Sequence, residues 1–285
     1  MYDTAIIGTG AAGMSAAITA KVRNKNILLI GPSDMSDKMQ KAHKILNYPG
    51  LPDITGAQLA EAYRSHLDSL GIAITDDRVT AVYDMGGSFS LQGRSGNMYE
   101  ARSVIIACGV MSAKGIKGEE ENLGMGVSYC ATCDAPLYRG RTAAVIAYSA
   151  EEENEARFLA ELAAKVYYIP MYKGEVSFTE ENITVINEVP IEIAPRGSKL
   201  ITDKGEYDTD GVFVLRDSVA PKNLIYGIET DGAHIVCDRE MKTNLKGVFA
   251  CGDITGRPYQ YVSAAGEGNV AALSCVKYLD ENKKV

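Results

Sequence analysis

The sequence lacks several features that would place it in a special class of protein. Among its 285 residues there is no tryptophan, and no apolar run reaches the roughly 18 residues that a transmembrane helix requires. The chain opens on the strand-like segment MYDTAIIG, whereas a secretory signal would need a basic leader followed by an apolar stretch. We therefore predict a cytoplasmic protein that has no membrane partner.

Basic residues are outnumbered by acidic ones, and histidines and paired cysteines are few. Lys and Arg number 29 against 37 Asp and Glu, for a net charge of −8, whereas nonspecific nucleic-acid binding needs a clustered excess of positive charge. There are only three histidines, and of the six cysteines only Cys130 and Cys133 are spaced as a motif, with no second such pair. The sequence thus predicts neither a nucleic-acid partner nor a metal site.

Apolar strands alternate with helices in two similar series. The first runs through a strand at 3–7, a glycine turn, an Ala-rich helix to about residue 23 and a strand at 26–30. The second begins near Thr142 with AAVIAY, and each series is followed by short alternating segments typical of an antiparallel meander. We predict an α/β fold with two tandem Rossmann-like domains of three layers (ββα). The predicted domains are residues 1–112 with 231–285, a discontinuous first domain, and residues 113–230.

The first series carries a dinucleotide fingerprint. Gly8, Gly10 and Gly13 in GTGAAG follow a strand and open a helix, where they permit a tight turn, close approach of a pyrophosphate and close helix packing. The N–H groups of the first helical turn then face the phosphates. The acidic residue expected after the second strand is replaced by Gly31-Pro32, so Ser33 or Asp34 is the candidate ribose contact.

The motif SYCATCDAP places Cys130 and Cys133 two residues apart with Asp134 directly after them. Thiols at this spacing form a disulfide that exchanges readily, and one of them often has a lowered pKa. An adjacent carboxylate is suited to move protons to and from a leaving thiol. The sequence therefore predicts thiol–disulfide exchange at this motif.

Four motifs together resemble the low-molecular-weight thioredoxin reductases: GTGAAG, NYPG at 47–50, CATCD at 130–134 and GVFACGD at 247–253. Their order and spacing agree over nearly the whole chain. The resemblance implies an enzyme with FAD on the first domain, completed by the C-terminal segment, that acts on thioredoxin as a homodimer. It also implies that Cys133 exchanges electrons with the flavin, Cys130 attacks the thioredoxin disulfide, and Asp134 acts as acid and base.

The FAD contacts predicted from the fingerprint and from this resemblance lie in the glycine turn, after the second strand, in NYPG, in two turns after later strands, and at the start of the last helix. They are Gly8, Gly10, Ala11, Ala12, Gly13, Ser33, Asn47, Ala107, Cys108, Gly109, Gly252, Asp253, Gln260 and Tyr261.

The second series lacks the glycines with which this family binds NADPH. Ala147, Tyr148 and Ser149 stand in their place, and a run of glutamates follows where a phosphate would approach. The His-Arg-Arg run that binds the 2′-phosphate in the family is replaced by residues 170–172, Pro-Met-Tyr, which leaves Lys173 as the nearby cation. We therefore expect no NADPH. The chain resembles the flavin-type ferredoxin:thioredoxin reductases of anaerobic bacteria.

The leading hypothesis is an oxidoreductase that passes electrons from reduced ferredoxin through FAD and the CxxC disulfide to thioredoxin, since a flavin accepts single electrons. One alternative is an NADPH-dependent thioredoxin reductase with a rebuilt nucleotide site. Another is a flavin-bound redox sensor without turnover.

Two basic groups are candidates for docking an acidic ferredoxin. They are Lys38, Lys41, His43 and Lys44 in one group, and Lys114, Lys117, Arg139 and Arg141 in the other. The remaining cysteines have no predicted redox role. Cys108, Cys251 and Cys275 lie in apolar or small-residue surroundings and are predicted to fill the core, whereas Cys237 has no assigned role.

Overall fold

The structure is a computed structural model that describes residues 1–35, 37–40, 42–109, 115–129, 131–216 and 221–282. Its residues form two compact units, in which most contacts are internal. Unit 1 is Met1–Val110 with Ala220–Val285, and unit 2 is Met111–Val219. The first unit is therefore built from both ends of the chain.

The first segment of unit 1 runs from β1 to β7. Its strands are β1 (Thr4–Ile7), β2 (Ile27–Ile30), β3 (Ile74–Thr75), β4 (Val79–Asp84), β5 (Phe89–Gly93), β6 (Met98–Ala101) and β7 (Val104–Ile106). Its helices are α1 (Ala11–Val22), α2 (Asp37–Gln40) and α3 (Gly56–Ser69). Helix α3 begins at a capping box, in which the Thr55 hydroxyl accepts the Gln58 N–H and the Gln58 side chain accepts the Thr55 N–H.

Unit 2 has eight labelled strands and two labelled helices among its described residues. The strands are β8 (Val127–Ser128), β9 (Thr142–Ala147), β10 (Lys165–Pro170), β11 (Ile183–Val185), β12 (Pro190–Ile193), β13 (Lys199–Thr202), β14 (Glu206–Asp208) and β15 (Gly211–Leu215). The helices are α4 (Ala131–Asp134) and α5 (Glu152–Ala160), with 3₁₀ turns at Ala135–Tyr138 and Pro195–Gly197.

The C-terminal segment returns to unit 1. It contains α6 (Pro221–Leu224), β16 (Thr230–Asp231), β17 (His234–Ile235), β18 (Val248–Ala250), a 3₁₀ turn at Gly252–Thr255 and the long helix α7 (Tyr261–Glu281).

Each unit is built on a parallel sheet. In unit 1 the order is β18-β7-β1-β2-β3, and in unit 2 it is β11-β10-β9-β15-β8. The central strands are continuous apolar runs, TAII in β1 and TAAVIA in β9, and nearly all their residues are buried, as expected for strands covered on both faces. The predicted α/β fold with two Rossmann-like cores is confirmed.

Helices α1 and α7 pack on the sheet of unit 1 through small side chains. Ala16 and Ala17 of α1, and Ala271 and Ala272 of α7, are fully buried in one apolar cluster with Ile6 of β1. Small residues let the helix backbones approach closely, which brings the start of α1 near the C-terminal helix.

The meander predicted after the first series is confirmed as the antiparallel sheet β4-β5-β6. The corresponding prediction for unit 2 was wrong in part. Strand β11 pairs in parallel with β10 and extends the main sheet, and only β12, β13 and β14 form an antiparallel sheet. Strand β11 is only three residues long, too short for alternation of apolar and polar residues to indicate its partner strand.

The second border between the units falls earlier than the predicted residue 230. Unit 1 resumes at Ala220, so it includes α6 and Ile225, which bridges Val82 of β4. Of the helices in the described residues, none has the length and apolar character needed to cross a bilayer.

Candidate functional site

The turn between β1 and α1 requires its glycines. Gly8 has a φ of +116°, and a Cβ there would lie 2.3 Å from the Ala107 carbonyl oxygen. A Cβ on Gly13 would lie 1.9 Å from the Gly8 carbonyl oxygen. Both contacts are far shorter than a side chain tolerates, so the turn is pressed against α1 and against the segment after β7.

Helix α1 begins at Ala11 after an extended Gly10, and no side chain caps its first turn. The N–H groups of Ala11, Ala12 and Gly13 therefore lack side-chain acceptors at the end of the helix that attracts anions. This arrangement fits the pyrophosphate of a dinucleotide such as FAD.

The C-terminal segment closes over the same helix start. Gly252 has a φ of +80°, and a Cβ there would lie 2.8 Å from the Cβ of Ala12. A Cβ on Gly268 of α7 would lie 2.1 Å from the Ala12 carbonyl oxygen. Strand β18 continues beside β7 through the Cys251 N–H, which donates to the Ile106 carbonyl oxygen at 3.0 Å. The turns containing the predicted contacts at 107–109 and at 252–253 therefore follow adjacent strands at the edge of the sheet where α1 begins.

Glu267 of α7 holds this C-terminal turn and was not predicted from the sequence. Its Oε2 accepts the Gly252 N–H at 2.8 Å and the Thr255 hydroxyl at 3.0 Å, while its Oε1 accepts the Ser263 hydroxyl at 3.3 Å. A carboxylate one helical turn after Ser263 was visible in the sequence, but its partners across the turn were not.

Removing this acceptor should loosen the turn. Glu267→Ala is expected to weaken FAD retention about tenfold, because the Gly252 N–H and the Ser263 hydroxyl lose this acceptor, each bond being worth about 0.5–1.5 kcal/mol. The Thr255 hydroxyl keeps the Gly252 carbonyl oxygen as an acceptor at 2.9 Å. Glu267→Gln keeps a carbonyl oxygen for the Gly252 N–H and should retain most of the binding. Equilibrium dialysis of FAD measures both variants, and equal FAD affinity in Glu267→Ala and the unmodified protein would contradict this role.

The NYPG segment contacts the residue before α7. The Asn47 side-chain amide donates to the Gln260 Oε1 at 2.8 Å, and Gln260 immediately precedes Tyr261, the first residue of the helix. The structure thus brings together three of the predicted flavin contacts. Asn47 and Gln260 are exposed, and burial raises the pKa of the Tyr261 hydroxyl, with a further contribution from the Asp253 carboxylate.

Ser33 is bound to a carboxylate that the sequence analysis missed. Its hydroxyl donates to Asp76 Oδ2 at 3.1 Å, its N–H donates to Asp76 Oδ1 at 3.3 Å, and Arg64 donates to its carbonyl oxygen at 2.8 Å. Asp76 directly follows β3, whose carboxyl end lies beside that of β2. A carboxylate thus lies beside Ser33 after the next strand of the sheet, and the Asp34 side chain is exposed.

Of the motif CATCD, the structure describes Ala131–Asp134, which form α4. Cys130 lies outside the described residues, and of Cys133 only the backbone, within α4, is described. Asp134 ends this helix, and its Oδ2 accepts the hydroxyl of the buried Ser128 at 2.6 Å. Ser128 therefore orients the carboxylate that was predicted to carry protons.

The turn after β9 is filled by protein side chains. The Arg216 guanidinium lies over the Tyr148 ring, with its central carbon 4.7 Å from the ring centroid, and donates to the Tyr148 hydroxyl at 3.3 Å. Arg216 also forms a two-pronged ion pair with Glu119, one bond of which is 2.8 Å long. The two side chains are only 5% and 3% exposed.

Burial opposes the ionisation of Glu119, yet hydrogen bonds from Arg216 and from the Ile116 N–H keep the pKa of its carboxyl below the usual value. Burial likewise opposes the charge on Arg216, whose pKa the Glu119 carboxylate raises. The pair is therefore charged at neutral pH.

Carboxylates line the start of α5, where the family places a phosphate. Glu152 is 1% exposed and Ser149 Oγ lies 3.5 Å from its Oε1. Tyr172, which stands in the family's 2′-phosphate run, donates its hydroxyl to Glu153 Oε1 at 2.7 Å. A phosphate here would meet the carboxyl groups of Glu152 and Glu153, and these residues disfavour an anionic ligand.

The four described cysteines outside the motif are unsuited to exchange. All four, at positions 108, 237, 251 and 275, are free thiols. Burial raises the pKa of each, to about 11 for Cys108, so little thiolate exists at neutral pH. The prediction of core positions is confirmed for Cys251 and Cys275, whereas Cys108 is partly exposed. Within the described residues, no group of three or more His, Cys, Asp and Glu is arranged to hold a metal ion.

Comparisons with known proteins agree with this geometry. The sequence pattern of the pyridine nucleotide-disulphide oxidoreductases matches residues 2–268. Thioredoxin reductase from Listeria monocytogenes serovar 1/2a is 32% identical over 306 aligned residues, covering 100% of this chain and 96% of that protein. A ferredoxin-flavin thioredoxin reductase structure from Clostridium acetobutylicum is 50% identical with a TM-score of 0.92, covering 99% of this chain and 98% of that chain. A second structure of that description and organism is 46% identical with a TM-score of 0.90, covering 99% of each chain.

Proposed function

The chain belongs to the pyridine nucleotide-disulphide oxidoreductase family as a flavin oxidoreductase of the thioredoxin reductase type, and we propose that it carries electrons from reduced ferredoxin to thioredoxin. In this proposal FAD binds unit 1, and the disulfide of Cys130 and Cys133 in unit 2 passes the electrons on. The family resemblance further supports a homodimer.

One observation carries the choice of electron donor. The side chains of Tyr148, Arg216 and Glu119 fill the turn at which a nicotinamide nucleotide would bind, and Glu152 is buried at the adjoining helix start. The similarity to ferredoxin-flavin thioredoxin reductases, at 50% and 46% identity, supports the same choice. NADPH is therefore not the proposed donor.

Unit 1 holds the cofactor through its own backbone. The first turn of α1 would bind the pyrophosphate, with Gly8 and Gly13 allowing close approach, while the turn at Gly252 closes over Ala12. When bound, FAD supplies a centre that accepts electrons singly and delivers them in pairs. Two further predicted contacts, Asn47 and Gln260, are joined by a hydrogen bond.

Unit 2 supplies the thiol chemistry. In the reduced protein, the Cys130 thiolate attacks the thioredoxin disulfide and forms a mixed disulfide, and the Cys133 thiolate then displaces the thioredoxin thiol. The Cys130–Cys133 disulfide reforms as the thioredoxin disulfide becomes a dithiol. Asp134, oriented by Ser128, is the proposed proton donor to the leaving sulfur. Each turnover takes two electrons from ferredoxin and two protons.

Two basic groups remain candidates for the ferredoxin surface. Arg139 and Arg141 are exposed on unit 2, whereas Lys117 is paired with Glu192 at 2.8 Å. In the other group His43 is exposed, and Lys44 pairs with Asp53 at 2.9 Å. The Lys38 side chain, Lys41 and Lys114 lie outside the described residues. Arg139 and Arg141 are the free cations of the two groups among the described residues, so we favour unit 2.

Thiol production distinguishes the donors. The protein is mixed anaerobically with oxidised thioredoxin and either stoichiometric reduced ferredoxin or excess NADPH, and thioredoxin thiols are counted after an acid quench. We expect one dithiol per pair of ferredoxins and no thiols with NADPH above the background without enzyme. Comparable yields from NADPH would indicate a rebuilt nucleotide site, and no thiols from either donor would indicate a redox sensor.

A further inference from the structure

Tyr129 links the filled nucleotide turn to the redox motif. It follows β8 and directly precedes Cys130 in the sequence, and its ring packs against the apolar cluster of unit 2. Its hydroxyl is hydrogen-bonded to the Glu119 carboxylate, and burial together with that negative charge raises its pKa. The residue before the first cysteine is thereby fixed to the Glu119–Arg216 pair.

The pair itself is firmly placed. The Glu119 carboxylate accepts hydrogen bonds from the Arg216 guanidinium and, at 2.9 Å, from the Ile116 N–H. The Arg216 guanidinium in turn lies over the ring of Tyr148. Because both charges are buried, neither can move away without leaving the other uncompensated. Tyr148, Arg216, Glu119 and Tyr129 thus form one continuous group, hereafter the anchor, which runs from the β9 turn to the end of β8.

The other end of the motif is held from the same strand. Ser128, the residue before Tyr129, donates to Asp134 at 2.6 Å and is 4% exposed. The hydrogen bond joins residues on either side of the segment 129–133, which contains both cysteines. The two described residues that flank the cysteines in the sequence, Tyr129 and Asp134, are thus both held by hydrogen bonds, Tyr129 to Glu119 and Asp134 to Ser128.

We propose that the anchor is a positioning group for the CxxC motif, so that the turn which no longer fits a nucleotide now serves as its scaffold. This inference rests on the proposed function, because it assumes that the motif reduces thioredoxin. The anchor acts through Tyr129, its member that directly precedes Cys130 in the sequence. Without the anchor, the cysteine segment would sample geometries unsuited to reaction, so thioredoxin reduction would slow although the protein still folds.

Two variants separate positioning from stability. Tyr129→Phe removes one hydroxyl and keeps the ring in the apolar cluster. The double variant Glu119→Leu/Arg216→Leu removes both charges, and replacing a buried ion pair by apolar residues of similar volume is often neutral for stability, whereas either single change leaves a lone buried charge. The matched control is Arg157→Met, which breaks the Arg157–Glu153 and Arg157–Glu180 pairs of the same unit, away from β8.

The full-length protein with FAD is reduced with dithionite, freed of excess reductant and mixed with oxidised thioredoxin in a single turnover. We expect Tyr129→Phe and the double variant to reduce thioredoxin about tenfold more slowly than the unmodified protein. The melting temperature of Tyr129→Phe should match it, whereas the double variant should melt lower because it also removes the acceptor of the Ile116 N–H. Arg157→Met should react at the unmodified rate. Hydrogen exchange should quicken in residues 127–136 and remain unchanged in β9 and β10.

Unmodified rates and unmodified exchange in both variants would overturn the inference. If the unmodified protein itself fails to reduce thioredoxin, the proposed function fails, and the exchange measurement then decides separately whether the anchor fixes the segment.

Discussion

Cys133→Ser is expected to lower thioredoxin reduction by about 10³-fold or more, because without this sulfur no intramolecular disulfide can form and the mixed disulfide cannot be resolved. The flavin should still be reduced by ferredoxin, since that step precedes the thiol chemistry. The measurement is a pair of assays on one preparation: the visible absorbance of the flavin, and thioredoxin thiols after quenching.

Cys237→Ser is the matched control for this loss. Burial raises the pKa of the Cys237 thiol, with further contributions from the Glu267 and Asp238 carboxylates, so this cysteine carries little thiolate and should not substitute in exchange. The control should keep full activity. Substantial thioredoxin reduction by Cys133→Ser would show that another thiol resolves the reaction and would contradict the proposed roles of the motif.

Gly268→Ala and Gly266→Ala should have opposite effects although they lie two residues apart in α7. An added Cβ at Gly268 would lie 2.1 Å from the Ala12 carbonyl oxygen, a backbone atom that cannot move without shifting the start of α1. We expect a loss of about 1–3 kcal/mol of stability from overpacking, together with most of the bound flavin, since the same helix start is proposed to bind the pyrophosphate.

At Gly266 an added Cβ meets nothing within 4 Å. Replacing a helical glycine by alanine there should stabilise the protein by about 1 kcal/mol and leave its flavin in place. Thermal melting and the ratio of flavin to protein absorbance measure both variants. A Gly268→Ala protein with full flavin content would show that α7 does not close the cofactor site.

The features that could be predicted from the sequence depend on the spacing of residues that are close together along the chain. The glycines at 8, 10 and 13 mark a turn whose close contacts only glycine allows, and those contacts are present at Gly8 and Gly13. The missing glycines of the turn after β9 could be recognised for the same reason, since Tyr148 places a ring where the family has a glycine. The alternation of strands and helices likewise predicted both sheets.

The features that were missed depend on contacts between distant residues. Glu119 and Arg216 lie 97 positions apart, and only the fold places them together. Asp76 reaches Ser33 because parallel strands end at one edge of a sheet, although 43 positions separate them. Glu267 meets the turn at Gly252 across 15 positions of chain. In each case the residue types carried no signal until the topology was known.

The anaerobic titration of the flavin tests the central claim most directly. The purified protein is titrated with reduced ferredoxin, NADPH or NADH in separate cuvettes while the visible absorbance of the flavin is followed. The filled turn at Tyr148 and the buried Glu152 predict complete bleaching by ferredoxin and none by either nicotinamide nucleotide. Rapid bleaching by stoichiometric NADPH would contradict the account, because unit 2 would then bind the nucleotide that its residues are proposed to exclude.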